Sequence, residues 1–469
     1  MGRSDRRGDK PPRTKIVWLA APTALLLLCR AAAALLPFPL PVDAPAAPSL
    51  PGDPPDYAGF SELLARGSLR EEELPAPDDQ SDALGYDEGA PFKVPEGLRS
   101  RVAFWKDIYA VYTSSQALLH DSDYPEIRYG IVDLSPVLSR RDLSAAARQK
   151  DLNDLLKREK DRVSADLKTL HSRSQTPLEI PLELFGLYRR LLVLPPTDRF
   201  KGAAERVRAQ VGQRDRIVHG FLFGGRYFPA MMEIFEKQGV PKELTRLVLV
   251  ESAFDLEARS KVGASGIWQF MRDTGQQYLR IDRALDERND PLAATRAAAE
   301  LLRHNYEALE SWPLAVTAYN HGRQGMRRAV QELGTRDLTE IIRRYRSPTF
   351  GFASSNFFSE FLAILEVERE FRGRFGRIMV DDALEFEAVA LDRDVALRDA
   401  AVACATSAER LVVLNPGLTD WVVSGQGAIP AGYSLRIPRE TGRCAAWPET
   451  VAPAARPGRR IATRERRLP

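Results

Sequence analysis

Apolar residues recur with a helical period along most of the chain from Val94 onward. The front half contains a long charged helix over Ser144–Leu170, whose leucines repeat at spacings near 3.6 residues. Its Lys/Glu/Asp-rich face is interpreted as a solvated helix side. Further helices are predicted at Pro181–Leu194, Ala203–Gly220 and Pro229–Gln238. The pattern therefore predicts a helical N-terminal region over residues 92–235.

The densest pattern lies between about Val240 and Val367. Helices are predicted there at Pro241–Ser252, Pro291–Leu309, Pro313–Asn320 and Phe357–Glu370. Three of them begin with a proline, which is favoured in the first helical turn because its missing N–H has no helical partner there. This segment, residues 236–372, is predicted to be one helical domain.

The pattern changes again after Arg377. Two short β-like runs, Phe386–Leu391 and Tyr433–Ile437, flank a helical stretch around Leu397–Leu414. They predict a small separate α+β module over residues 380–440. A basic tail over residues 441–469 follows and is predicted to be disordered.

The N-terminal 36 residues have the parts of a secretory signal, namely a basic start, an apolar run over Ile16–Cys29 and small residues over Ala31–Ala34. The alternative is a membrane anchor, which Pro22 and Arg30 disfavour because a central arginine is costly in hydrocarbon. Export with cleavage is favoured, and an uncleaved anchor stays the alternative. Residues 37–91 are rich in Pro, Asp, Glu and Ala and are predicted to form a disordered linker.

The chain has 469 residues, of which 44% are hydrophobic and 28% are charged, and its formal net charge is +3. Such a balance is typical of a soluble globular protein and gives no reason to expect a nucleic acid partner. The five histidines are scattered without ligand spacing, and no phosphate-binding glycine loop occurs. No metal and no cofactor are predicted.

Two of the three cysteines, Cys404 and Cys444, fall in the last part of the chain. In an oxidising compartment two such cysteines can pair as a disulfide, and this interpretation is favoured. The alternative is two unrelated buried thiols.

Glu251 is a candidate general acid because of its place on a predicted helix. Leu247 and Val248 lie on one face of that helix, and Glu251 takes the next position on the same face. Desolvation and the helix C-terminus would both raise the pKa of this carboxyl, as a general acid working near neutral pH needs. On this helix alone, a structural ion pair with Arg246 or Arg259 is an equal alternative.

Two further segments place polar groups beside apolar ones. Gly263–Met271 is a glycine-containing loop in which the backbone can approach a ligand, and the amide of Gln269 can bond a sugar hydroxyl or acetamido group. Trp268 is either a sugar platform or, as we favour, a core residue. Tyr319 and Asn320 place a phenol and an amide together at the end of an apolar helix.

Four motifs follow one another in a specific order and spacing: VESAF at Val250–Phe254, GASGIWQFM at Gly263–Met271, DERNDP at Asp286–Pro291 and AYNHG at Ala318–Gly322. Together they resemble the soluble lytic transglycosylase (SLT) domain of glycoside hydrolase family 23, in its membrane-bound type D subgroup. The resemblance extends over most of Val94–Pro438. It implies a mainly α, lysozyme-like catalytic domain. His321 departs from the family, where a small residue is usual.

The resemblance also implies a reaction on the glycan strands of peptidoglycan. Glu251 would protonate the glycosidic oxygen between N-acetylmuramic acid and N-acetylglucosamine. It would then act as base while the muramic 6-hydroxyl closes on C1 to give a 1,6-anhydro product. One carboxylate suffices because the acetamido group of the substrate assists. Tyr319 would orient Glu251, and Ser252, Gln269 and Asn320 would line the saccharide subsites.

The segment Leu411–Pro438 resembles a divergent LysM-type peptidoglycan-binding unit, which would tether the enzyme to its polymer. A family-specific packing module is the alternative. The predicted N-terminal signal would place the protein in the periplasm or cell envelope, with membrane contact expected only through that segment.

Two other functions compete with the lytic transglycosylase. In a muramidase a second carboxylate activates water, and Asp255 or Asp273 is the candidate for that second group. A non-catalytic peptidoglycan-binding protein would keep the fold alone, but it would have no need of the set Glu251, Gln269 and Tyr319.

Overall fold

The computed structural model describes residues 92–375, 381–439 and Cys444. The predicted signal or anchor at 1–36, the linker at 37–91 and the basic tail, apart from Cys444, lie outside the described residues. Among the helices in the described part, none combines the length and hydropathy needed to cross a bilayer.

The described chain is mainly helical, as predicted. Its helices are α1 (Arg99–Ala110), α2 (Ser135–Leu138), α3 (Ala145–Ser172), α4 (Leu182–Leu191), α5 (Lys201–Glu205), α6 (Arg214–Gly224), α7 (Phe228–Lys237), α8 (Leu247–Ser252), α9 (Arg272–Gly275), α10 (Pro291–Leu309), α11 (Trp312–His321), α12 (Arg323–Leu333), α13 (Leu338–Arg344), α14 (Phe352–Phe375), α15 (Leu397–Ala403), α16 (Ala408–Leu414) and α17 (Asp420–Val423). Single 3₁₀ turns lie at Glu96–Leu98, Pro177–Glu179, Lys242–Arg246 and Glu287–Asn289.

The strands form two small antiparallel sheets. They are β1 (Gln116–Asp121), β2 (Arg128–Asp133), β3 (Val207–Val211), β4 (Phe386–Ala390) and β5 (Ser434–Pro438). The first sheet has the order β2-β1-β3, and the second pairs β4 with β5 from Phe386 opposite Pro438 to Ala390 opposite Ser434. The small α+β character predicted for the C-terminal module is confirmed by β4, β5 and the helices between them.

Two helices, α3 and α10, begin directly after a residue whose side chain caps the first turn. α3 begins directly after Ser144, whose side chain accepts a hydrogen bond from the main-chain N–H of Ala147 at 3.2 Å. α10 begins at Pro291 after Asp290, whose carboxylate accepts hydrogen bonds from two N–H groups of the first turn. Such caps satisfy donors that have no partner inside the helix, so the sequence alone locates both helix starts.

The predicted helix over Ala203–Gly220 is wrong, and the three-stranded sheet was not predicted. The segment divides into α5, β3 and α6. In β3 the apolar side chains alternate: Val207, Ala209 and Val211 pack toward the core beneath α3, while the guanidinium of Arg208 lies 4.0 Å from the ring centre of Phe352. A period of two belongs to a strand, and the helical pattern on either side obscured it.

The main core draws on residues from both sides of the predicted boundary at 235/236. Trp105 on α1, Phe235 on α7 and Leu247 on α8 all belong to it, and α14 packs against α1, α8 and α11. The division into a region 92–235 and a domain 236–372 stays a prediction, as does the boundary of the module at 380–440.

The C-terminal module has its own core, and a disulfide joins Cys404 to Cys444 within it. The predicted pairing is therefore confirmed. The module also contacts the loop before α10: the guanidinium of Arg436 donates to Asp290 at 2.8 Å, and the N–H of Asp286 donates to the carbonyl of Gly417 at 2.8 Å. This contact matters for the site because the same loop supports the segment around Gly263–Met271.

Candidate active site

Glu251 is the penultimate residue of α8, a helix that ends at Ala253 with a left-handed backbone (φ 53°). The apolar face predicted around it is present, since Leu247 and Val248 are fully buried. Glu251 itself is half-buried. Burial raises the pKa of its carboxyl from 4.5 to about 8. A group of this kind holds its proton at neutral pH and can donate it.

The ion-pair alternative for Glu251 does not hold. Arg246 donates two hydrogen bonds of 2.9 Å each to the carboxylate of Glu368, and both side chains are buried. Arg259 is exposed. Within residues 92–375 and 381–439, none of the ion pairs involves Glu251. Desolvation is therefore the cause of its raised pKa.

Ser252 ties α8 to the glycine loop. The side chain is buried, and its hydroxyl lies 3.0 Å from the carbonyl oxygen of Ile267 and 3.2 Å from that of Val248. The structure does not bring Ser252 to a surface that a saccharide can reach. In the structure Ser252 packs beside Glu251, and its predicted contact in a saccharide subsite stays a prediction.

Gln269 lies half-buried at the turn of the glycine loop, with a left-handed backbone at φ 46°. Its amide NH₂ donates to the carbonyl of Gly266 at 2.9 Å and to that of Ala258 at 3.1 Å. The amide nitrogen thus stabilises the turn itself. The role predicted for Gln269 in a saccharide subsite stays a prediction. Because the amide nitrogen bonds to the loop, the amide oxygen is the atom that would contact a saccharide.

The DERNDP segment packs against the same glycine loop and forms hydrogen bonds to it. Arg288 is buried and donates to Asp286 through Nε at 2.9 Å and through a terminal nitrogen at 2.7 Å. Its other terminal nitrogen donates to the carbonyls of Gly263 at 2.9 Å and Phe270 at 3.2 Å. A β-carbon at Gly266 would lie 1.9 Å from the carbonyl oxygen of Arg288. The loop therefore needs both the arginine and the glycine.

Tyr319 approaches the site from α11. Its hydroxyl donates to the main-chain oxygen of Trp268 at 2.9 Å, and its ring is parallel to that of Phe357 with centroids 6.3 Å apart. Burial, and then the charge of Glu251, raise the pKa of Tyr319 well above 10. Tyr319 therefore lies within electrostatic range of Glu251. Its predicted role as an orienting group for Glu251 stays a prediction, because the hydroxyl is engaged with the loop.

Trp268 is fully buried, and its indole N–H donates to the hydroxyl of Thr295 at 2.9 Å. The favoured interpretation as a core residue is confirmed.

Asn320, next to Tyr319, is half-buried and accepts a hydrogen bond of 2.9 Å from the hydroxyl of Ser354 on α14. His321 packs edge-on against Phe350 with ring centroids 5.1 Å apart.

The sequence interpretation missed Glu360, a second carboxyl group at the site. Burial, and then the charge of Glu251, raise the pKa of Glu360 to about 8, and the hydroxyl of Tyr109 donates a hydrogen bond to it. Asp255 and Asp273, which were considered as second carboxylates, are both exposed. Glu360 is an acid embedded in an apolar helical run, the same signal that singled out Glu251.

Comparison with known proteins agrees with this geometry. Residues 231–342 match the family model of the transglycosylase SLT domain. Over 98 residues the chain is 39% identical to the membrane-bound lytic murein transglycosylase D of Escherichia coli strain K12. It is equally similar to the protein of that name from Escherichia coli O6:H1 strain CFT073. Each alignment covers 20% of this chain and 22% of the relative, so the similarity spans about a fifth of either protein.

Proposed function

We propose that the protein is a lytic transglycosylase that cleaves the glycan strands of peptidoglycan, because residues 231–342 match the family model of the transglycosylase SLT domain. The observation that carries the proposal is the carboxyl of Glu251, which is half-buried, has no ion-pair partner among the described residues and has its pKa raised to about 8. Such a group is protonated at neutral pH, as the first step requires.

In the proposed reaction Glu251 donates its proton to the oxygen of the β-1,4 bond between N-acetylmuramic acid and N-acetylglucosamine. The bond from C1 to that oxygen breaks, and the N-acetylglucosamine end leaves as an alcohol. The acetamido group of the muramic acid supports the electron-poor C1. The 6-hydroxyl then bonds to C1, its proton passes to the Glu251 carboxylate, and the 1,6-anhydro end forms without uptake of water.

The surrounding residues have supporting functions in this proposal. Gln269 and Asn320 are half-buried amides on the glycine loop and on α11, where they can hydrogen-bond saccharide groups. Tyr319 fixes the loop that faces Glu251 through its bond to Trp268. A carboxyl held in place by packed neighbours needs little reorganisation when the substrate binds.

The rest of the chain suggests where the enzyme works. The basic and apolar residues at positions 1–36 are proposed to export it to the periplasm or cell envelope, cleaved or retained as an anchor. The C-terminal module over residues 380–440 is proposed as a divergent LysM-like unit that holds the enzyme on peptidoglycan. Such tethering raises the local substrate concentration without changing the chemistry.

A digest of purified sacculi tests the proposed function. The parent protein, Glu251→Gln and the matched control Glu257→Gln, an exposed carboxylate in the following loop, are compared by mass spectrometry of the released muropeptides. We expect 1,6-anhydro ends from the parent and the control, and a loss of at least about 100-fold from Glu251→Gln. Reducing ends would show a muramidase instead, and no cleavage by the parent would favour a binding protein.

A further inference from the structure

The backbone just before the DERNDP segment belongs to the core of the C-terminal module. Ala284 and Leu285 are buried and pack in that core together with Leu418 of the module. A backbone hydrogen bond accompanies this packing, since the N–H of Thr419 donates to the carbonyl of Ala284 at 3.0 Å. The next residues, Asp286–Pro291, pack against the glycine loop. One short stretch of chain therefore contacts the module at one end and the candidate active site at the other.

Two further contacts with the module fix the acids near either end of the DERNDP segment. The N–H of Asp286 donates to the carbonyl of Gly417 at 2.8 Å. Arg436 on β5 donates to the carboxylate of Asp290 at 2.8 Å, and this carboxylate also caps the first turn of α10. Both side chains are buried, and Arg436 also donates to the carbonyl of Leu414 at 3.1 Å. Breaking a buried ion pair leaves an uncompensated charge, so this contact is costly to open.

The residues between these two acids form hydrogen bonds to the glycine loop. The guanidinium of Arg288 is buried and donates to the carboxylate of the first acid at 2.9 and 2.7 Å. It also donates to the carbonyls of Gly263 at 2.9 Å and Phe270 at 3.2 Å. The hydroxyl of Ser265 donates to the side-chain oxygen of Asn289 at 2.6 Å. The position of the loop therefore depends on the position of the DERNDP segment.

The glycine loop in turn contacts the helix that carries the candidate acid. The hydroxyl of Ser252, the residue after Glu251, lies 3.0 Å from the carbonyl oxygen of Ile267. The same loop carries Gln269, whose half-buried amide is a candidate saccharide contact. A continuous series of hydrogen bonds and short backbone segments thus joins the C-terminal module to the residue beside the acid.

We propose that the C-terminal module is a positioning element of the active site, in which Arg436 and the carbonyl of Gly417 set the place of the glycine loop relative to Glu251. The inference rests on the proposed function and gives the module a second role beside tethering. Arg436 is a positioning residue, because it acts through Asp290 and the DERNDP segment. A tether raises the local substrate concentration and needs no contact with the loop. A fixed loop instead lowers the reorganisation that the reaction requires.

Steady-state kinetics on short, uncrosslinked disaccharide-peptide oligomers test this role, because a tether gains nothing from a substrate that cannot span both sites. We expect Arg436→Met to lower kcat per folded molecule about tenfold and to change KM less than about threefold, since a displaced loop alters the reacting geometry. Arg436→Lys keeps the cation, so its kcat should lie within about threefold of the parent and above that of Arg436→Met. Arg439→Met is the control, because Arg439 pairs with Glu385 in solvent on the same module.

A second variant separates positioning from a general loss of stability. Cys404→Ser/Cys444→Ser breaks a bond inside the same module and leaves Arg436 and Asp290 unchanged. Each variant is assayed at a temperature where circular dichroism shows it folded, and we expect the disulfide variant to keep kcat within about twofold of the parent. An equal fall of kcat in both variants overturns the proposal. So does a fall confined to intact sacculi, which is the result of tethering alone. If Arg436→Met does not fold, a kcat of Arg436→Lys equal to that of the parent overturns it.

Hydrogen exchange without substrate separates this inference from the proposed function. The N–H groups of Ser265 and Gly266 donate to carbonyls within and beside the glycine loop at 3.2 and 3.0 Å, so their exchange reports the opening of the loop. We expect exchange at both amides to be about tenfold faster in Arg436→Met than in the parent, and unchanged in Arg439→Met. Equal rates in Arg436→Met and the parent contradict the positioning role whether or not the parent cleaves peptidoglycan. Absence of cleavage by the parent contradicts the proposed function, and the exchange rates still decide whether the module fixes the loop.

Discussion

The hydroxyl of Tyr319 donates a hydrogen bond of 2.9 Å to the main-chain oxygen of Trp268. This bond joins the C-terminal half of α11 to the glycine loop. The indole N–H of Trp268 in turn donates a hydrogen bond to the hydroxyl of Thr295 on α10. The loop, α11 and the helix that carries Glu251 are therefore held in one arrangement. A tyrosine at this position contributes to the site by fixing backbone geometry near the acid.

Removing that hydroxyl tests its contribution. We expect Tyr319→Phe to lower the free energy of unfolding by about 1 to 2 kcal/mol, because the Trp268 carbonyl loses its donor. Its kcat falls roughly 10- to 100-fold, since small displacements at an active site are costly. Urea unfolding and muropeptide release measure the two effects. Tyr306→Phe, on the exposed part of α10, is the control, and equal losses in both variants contradict the assignment.

The raised pKa of Glu251 predicts a pH-dependent stability. The folded protein holds a proton on this carboxyl up to about pH 8, whereas the unfolded chain releases it near 4.5. Between these values the folded state binds more protons at this group, so the contribution of Glu251 to stability is greatest below pH 4.5 and is lost as pH rises through 8. Glu251→Gln cannot lose a proton, so it should lose less stability than the parent between pH 5 and pH 9, by on the order of 2 kcal/mol.

Unfolding curves at several pH values measure this difference. The charge of Glu251 raises the pKa of Glu360, so Glu251→Gln also lowers the pKa of Glu360, and this effect adds to the difference between parent and variant in the same direction. Parallel curves for the two proteins over this pH range would show that Glu251 has an ordinary pKa.

The glycine loop predicts a difference between two glycine-to-alanine substitutions. Both Gly263 and Gly266 have a left-handed backbone, with φ 88° and 73°. A β-carbon at Gly266 would overlap the carbonyl of Arg288 at 1.9 Å, whereas nothing lies within 4 Å of one at Gly263. We expect Gly266→Ala to cost about 2 to 3 kcal/mol and to lower activity. Gly263→Ala costs about 1 kcal/mol. Thermal unfolding compares them, and equal costs contradict the predicted overlap.

The buried pair between Arg436 and Asp290 predicts coupling between the C-terminal module and the site loop. Both side chains are buried, and their atoms are 2.8 Å apart. Arg436→Met leaves the Asp290 carboxylate without its cation, so we expect a loss of about 3 kcal/mol. Arg439→Met is the control, because Arg439 pairs with Glu385 in solvent. Thermal unfolding measures both, and a loss below about 1 kcal/mol in Arg436→Met would contradict the coupling.

The disulfide between Cys404 and Cys444 closes a loop of 40 residues in sequence. Such a crosslink stabilises chiefly by restricting the unfolded chain, so we expect the double variant Cys404→Ser/Cys444→Ser to lose about 2 to 4 kcal/mol. The unfolding midpoint of the parent should fall likewise on addition of reductant. If reductant lowers the midpoint of the double variant equally, the effect does not come from this bond.

Local rules made part of this protein predictable from the sequence alone. The prolines at the starts of three predicted helices, the apolar stripe leading to Glu251 and the β-like runs that contain β4 and β5 each depend on neighbours a few positions away. Such local patterns can be identified in the sequence without knowledge of the fold. The motifs around Glu251, Gln269 and Tyr319 identified the domain for the same reason, since they are short and contiguous.

Tertiary structure decided what depends on distant partners. The sequence cannot show that Arg246 pairs with Glu368 and leaves Glu251 without a counter-ion, or that Ser252 is buried against the loop. Nor can it bring Glu360, 109 residues further along the chain, beside Glu251. Burial and electrostatic coupling depend on three-dimensional distance, and packing of α14 against α8 and α11 sets that distance. The acid was visible in the sequence, whereas its electrostatic environment came only with the fold.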